Sequence, residues 1–141
     1  MLADISERCN TIEECYEFML AYAAQGLPSE GGSQSGGRIR DFLGRAARAI
    51  SGLSESCAMA VKQERLDPAD CYQAFFAVLD RDASDSLAAI KLVLAQTTIS
   101  SQLIDNLNAS IHLRALLTDL FLLTEIAKPQ PASAKPAVSS S

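Results

Sequence analysis

Tryptophan is absent from this 141-residue chain, histidine occurs once, and aromatic residues make up only 6% of it. A core must therefore be assembled mainly from Leu, Ile, Val and Ala. With 48% hydrophobic residues there is enough material for one enclosed core of ordinary domain size. A single histidine and no nucleophile motif leave nothing from which a Ser-His-acid triad could be built. Cationic surplus is missing too. Twelve Lys and Arg stand against seventeen Asp and Glu, a net charge of -5, so phosphate neutralisation is disfavoured and no nucleic-acid partner is expected. No uninterrupted apolar run reaches the roughly 18 residues a membrane-spanning helix needs, and Asp4, Glu7 and Arg8 interrupt the first ten residues, where a signal peptide would be apolar. The expectation is a soluble, cytoplasmic protein without membrane insertion.

The four cysteines, Cys9, Cys15, Cys57 and Cys71, lie six, forty-two and fourteen residues apart. Structural zinc sites use close Cys pairs two to four residues apart, so this spacing argues against zinc. Without an export signal the thiols read as reduced. Cys71 falls in the first turn of a predicted helix, where the N-terminal dipole can activate a thiol. Together with Cys15 it is the candidate reactive thiol.

What is present is helical periodicity. Ile5, Cys9, Ile12, Tyr16, Met19 and Ala23 recur at steps of four and three and predict a first helix over 4–25. Asp4 is placed to cap it, Thr11 and Glu14 form a capping-box pattern that marks a second start or a break, and Gly26-Leu27-Pro28 ends it. Residues 27–37, rich in Gly and Ser, read as a flexible loop; they lack the lysine and preceding strand of a phosphate loop. Ile39, Leu43, Ala46, Ile50, Leu53, Cys57 and Ala60 form the seam of a second helix over 38–63. Gly44 and Gly52 lie inside it, which suggests close packing at both. Asp67-Pro68 is a helix start, Asp67 as cap and Pro68 as first residue. A third helix follows to about Leu94, continuous or broken near Ser84. Ser100 is placed to cap a fourth, which runs to Ala127. Residues 129–141 have Pro, Ala and Ser without periodicity and read as a disordered tail behind a single domain over 1–128.

Two patterns suggest chemistry and fall short of it. Asp80, Asp82 and Ser84 match positions one, three and five of an EF-hand calcium loop, but Asp85 stands where Gly is required and Lys91 where a bidentate Glu is required. His112 sits on a predicted helix, as in phosphotransfer bundles, but Leu113-Arg114 follows it rather than a Lys-Gly pair. Arg38, Arg45 and Arg48 share one helix face and form a candidate basic patch for an acidic partner. From Ala115 to Ile126 the apolar residues cover nearly the whole circumference of the helix. Leu116, Leu117, Leu120, Phe121 and Leu123 are accordingly the candidate interface of a homodimer.

These features predict an all-α protein, an antiparallel up-and-down four-helix bundle with a flexible loop after its first helix. The expected role is non-catalytic: a dimeric adaptor, small chaperone or accessory factor acting through helix faces, with a protein partner, no cofactor and no metal. A cysteine-based redox or metal-responsive sensor is the alternative, followed by phosphotransfer through His112.

Overall fold

The computed structural model describes residues 2–31 and 34–127; the tail expected at 129–141 lies outside them. Among the described residues there are six helical segments and no strand. They are α1 (Leu2–Ala24), α2 (Gln34–Ser51), α3 (Leu53–Gln63), α4 (Ala69–Leu94), α5 (Ser101–Ala109) and α6 (Ile111–Ala127). Two of the four expected helices are thus divided, at Gly52 and at Ser110.

Each division has an identifiable cause. Arg8 of α1 lays its guanidinium over Gly52, where a Cβ would collide with it. From there it donates to the carbonyls of Arg48 (3.4 Å) and Ala49 (3.3 Å), among the last carbonyls of α2, and to Ser56 Oγ (3.2 Å) on α3. A cation on C-terminal carbonyls also meets the negative end of the helix dipole. At Ser110 the backbone turns extended, its N–H donating to the Leu107 carbonyl and its Oγ accepting from Leu113 N at 3.3 Å. One residue closes α5 and caps α6.

Other boundaries differ in detail from the sequence signals. Gly26 takes the left-handed conformation (φ 66°) after α1, and Ser100 accepts from Leu103 N at 3.0 Å, as their residue types imply. Asp4 lies inside α1 rather than capping it, hydrogen-bonded with Arg8 and Ser56, and α1 runs unbroken past Thr11. Pro68, not Asp67, occupies the N-cap position of α4, after a cis peptide bond. The α2 helix begins at Gln34, inside the span expected to be loop. Gly44 has only ordinary van der Waals space around it, so close packing explains Gly52 and not Gly44.

The segments close into a ring. α1 packs on α2 and α3, these on α4, α4 on α6, and α5 with α6 back on α1; α1 and α4 have no close backbone contact. Neighbours run antiparallel. Along α1, Arg8 meets Ala49, Glu14 meets Arg45 and Phe18 stacks on Phe42; against α5, Tyr22 donates to the Ile99 carbonyl while Met19 accepts from Asn108. Buried aliphatic residues from all six segments form one cluster, including Ile12, Leu43, Leu53, Leu79, Ile104 and Leu116. Polar bonds fix the corner between α1 and α5. Ser101, fully buried, donates to the Tyr22 carbonyl (2.6 Å) and accepts from Leu27 N (2.8 Å). Arg40 performs at the end of α4 what Arg8 does at α2, donating to the carbonyls of Leu94, Gln96 and Thr97 while paired with Glu30. No helix of the described residues is long and apolar enough to cross a membrane.

Candidate functional site

The seam between α4 and α6 gathers the features that internal packing does not absorb. The α6 sequence has more apolar residues than one face can bury, and the fold divides them. Leu113, Leu116, Leu117, Leu120 and Leu123 face inward and are buried, while Phe121, Leu122 and Ile126 remain about half exposed. Leu122 and Ile126 are one turn apart and so lie on the same edge of α6. Across from them α4 presents Cys71, Tyr72 and Phe75, at the same i, i+3/i+4 spacing. Together with Leu123 these residues line an open groove of about 320 Å³ that contains no charged side chain. Val78, one turn further along α4 from Phe75, is 42% exposed.

One turn before Leu122, the same seam holds a pair of acids. Asp119 is only 7% exposed, and its Oδ2 is buried without a hydrogen-bond donor. It faces Asp82 of α4. Burial, reinforced by that neighbouring carboxyl, pushes Asp119 up to about 7 from an ordinary value of 3.8. An apolar surround disfavours the ionised form, and two carboxyls that face each other cannot both ionise cheaply. Asp119 therefore keeps its proton to a higher pH than an ordinary carboxyl does.

The sequence-predicted residues are distributed differently from expectation. Leu116, Leu117 and Leu120 belong to the chain's own core; of the five candidate interface residues Phe121 is exposed, and Leu123, though buried, lines the groove. The excess apolar surface is real but sits on Leu122 and Ile126, which periodicity alone did not separate from the buried set. Cys15 is fully buried, as are Cys9 and Cys57, and burial raises all three thiols, Cys9 and Cys57 to about 12. The fold thus withholds Cys15 from solvent, unlike the accessible setting a reactive thiol needs. Cys71 is exposed and lines the groove.

The basic patch is largely engaged within the fold. Arg38 and Arg45 lie over the stacked Phe18–Phe42 pair at 5.1 to 5.6 Å, and Arg45 also pairs with Glu14 at 3.2 Å. Arg48 stays exposed beside a shallow pocket whose lining mixes Arg8, Arg45 and Arg48 with Asp4 and Glu7, so the charges there largely offset one another. His112 is exposed, and its carbonyl accepts from buried Ser86 at 2.8 Å. Asp80 to Lys91 are helical throughout, which removes the calcium-loop reading. Among the described residues no group of three or more His, Cys, Asp or Glu is placed to hold a metal ion.

Sequence reasoning missed the Asp82–Asp119 pair. Its signal was an acid embedded between Leu116-Leu117 and Leu120, on the inward side of a strongly apolar helix. Comparison of the chain with protein-family models, curated proteins and solved structures finds no match.

Proposed function

We propose that this chain is a non-catalytic interaction protein, an adaptor, small chaperone or accessory factor, that docks through the α4–α6 groove and pairs there with a second copy of itself. In this reading the six segments act as four antiparallel rods of an up-and-down bundle, two of them kinked. The observation that carries the proposal is the uncharged groove of Cys71, Tyr72, Phe75, Leu122, Leu123 and Ile126, left open after the core is complete.

A second copy suits this face for two reasons. The chain carries a net charge of -5, so two copies repel through most of their surfaces, and a charge-free patch is where that repulsion is least. The face is also made of two antiparallel helices, which can stack on their own image about a two-fold axis and bury Leu122 and Ile126 of both partners. Three buried, unpaired cysteines fit a reducing compartment, and we place the protein in the cytoplasm on that ground.

Hydrogen exchange as a function of protein concentration tests the reading. Amides around Cys71–Val78 and Asp119–Ile126 are expected to slow as concentration rises, whereas those of α5 stay unchanged. Exchange independent of concentration across the whole chain counts against a second copy at this face. The thiol-sensor reading retains one observation, the exposure of Cys71 in the same groove. It predicts that oxidation of Cys71 alters docking, and docking unchanged by oxidation removes it.

A further inference from the structure

We infer that the Asp82–Asp119 pair is a proton-dependent latch on the docking face, closing the α4–α6 seam when it holds a proton and loosening it when it does not. This rests on the docking reading above. Its geometric basis is the position of Asp119, more than nine-tenths buried, with one oxygen lacking any donor and with Asp82 in front of it across the seam.

In the protonated state one carboxyl O–H donates to the other carboxylate, so the two helices are tied by a charge-assisted hydrogen bond. Loss of that proton leaves two like charges in a poorly solvated seam, one of them without a donor. Separation of α4 and α6 at this level relieves both by admitting water. Because Asp119 is one turn, about 5 Å, from Leu122 and Leu123, that separation disturbs the groove wall directly.

The charged surroundings supply no cation that replaces the proton. From α4, Asp82 faces the pair member on α6, with Arg81 and Asp85 beside it on exposed positions. No charged group on α1 or α5, the other segments packed on α6, contributes to the state of Asp119. On α6 itself His112 lies two turns away on the same face and is exposed, Arg114 points to another side, and Glu125 adds further negative charge.

The test is sedimentation velocity of the intact chain at about pH 5.5 and about pH 8, alongside Asp119→Asn, with hydrogen exchange of α6 normalised for intrinsic rate. The latch predicts self-association about tenfold or more weaker at the higher pH, faster exchange over Asp119–Ala127 there, and neither change in Asp119→Asn. Association and exchange that are equal at both pH values overturn the latch while leaving docking intact. A chain that is monomeric at both pH values overturns docking, and α6 exchange then decides the latch alone. Asp82→Asn is the second variant, expected to flatten the same profiles.

Discussion

Replacing Asp119 by Asn isolates the cost of the buried acid, because the amide keeps the size of the side chain, does not titrate, and can donate to Asp82. Below 3.8 the folded and unfolded wild-type chains both hold the proton, and Asp119 costs nothing. Between 3.8 and about 7 the unfolded chain has released the proton that the folded chain keeps, so stability falls as pH rises and the loss is complete above about 7. A rise of about three units, at about 1.4 kcal/mol each, sets a ceiling of about 4 kcal/mol. Asp82 is partly open to solvent, and screening on that side brings the expected cost to about 2 kcal/mol. Urea titrations followed by helical circular dichroism, at steps from about pH 4.5 to 8, read this out. Asp119→Asn should exceed wild type by about 2 kcal/mol at pH 8, with the gap closing towards pH 4.5. A variant that is less stable than wild type at pH 8, or a gap that does not change with pH, refutes the reasoning.

Further outcomes follow from the same contacts. Gly52→Ala displaces the Arg8 guanidinium and should cost about 1 to 2 kcal/mol; in an Arg8→Ala background most of that cost disappears, which a double-mutant cycle in urea measures. Ser101→Ala leaves Leu27 N–H without its acceptor and should lower stability by about 1 to 3 kcal/mol, seen as a lower urea midpoint at an unchanged slope. Native thiol titration should show rapid labelling of Cys71 and slow labelling of Cys9, Cys15 and Cys57, which become reactive on unfolding. Glu30 is held below the ordinary carboxylate range chiefly by its hydrogen bonds with Arg40, helped by the Ile99 N–H. Its contribution is therefore present above that range and lost as pH falls through the folded value, and Glu30→Gln should flatten the acid limb of the stability profile.

The helical segments were legible because they rest on local signals. The four-and-three spacing of Ile5 to Ala23 and of Ile39 to Ala60 gives the seams directly, and Gly26 and Ser100 mark ends through their own backbone and side-chain chemistry. The break at Gly52 was not legible as a break, since its cause is a guanidinium arriving from α1, forty-four positions away in sequence. The Ser110 break rests on a serine that reads equally well as a mid-helix residue. For the site, the excess of apolar residues on α6 was visible, but which of them face out depends on where α1 and α4 lie. Periodicity could not separate Leu122 from Leu123. Asp119 escaped notice because its meaning comes from Asp82, contributed by another helix.

Sedimentation equilibrium of the intact chain near pH 6, from micromolar to submillimolar concentration, tests the docking face most directly. A reversible equilibrium between the 15.1 kDa chain and twice that mass is expected. Leu122→Glu should shift it to monomer, whereas Leu92→Glu, a more exposed apolar position at the far end of α4, should leave it in place. A single 15.1 kDa species at every concentration, or a dimer indifferent to Leu122→Glu, contradicts the assignment of this face.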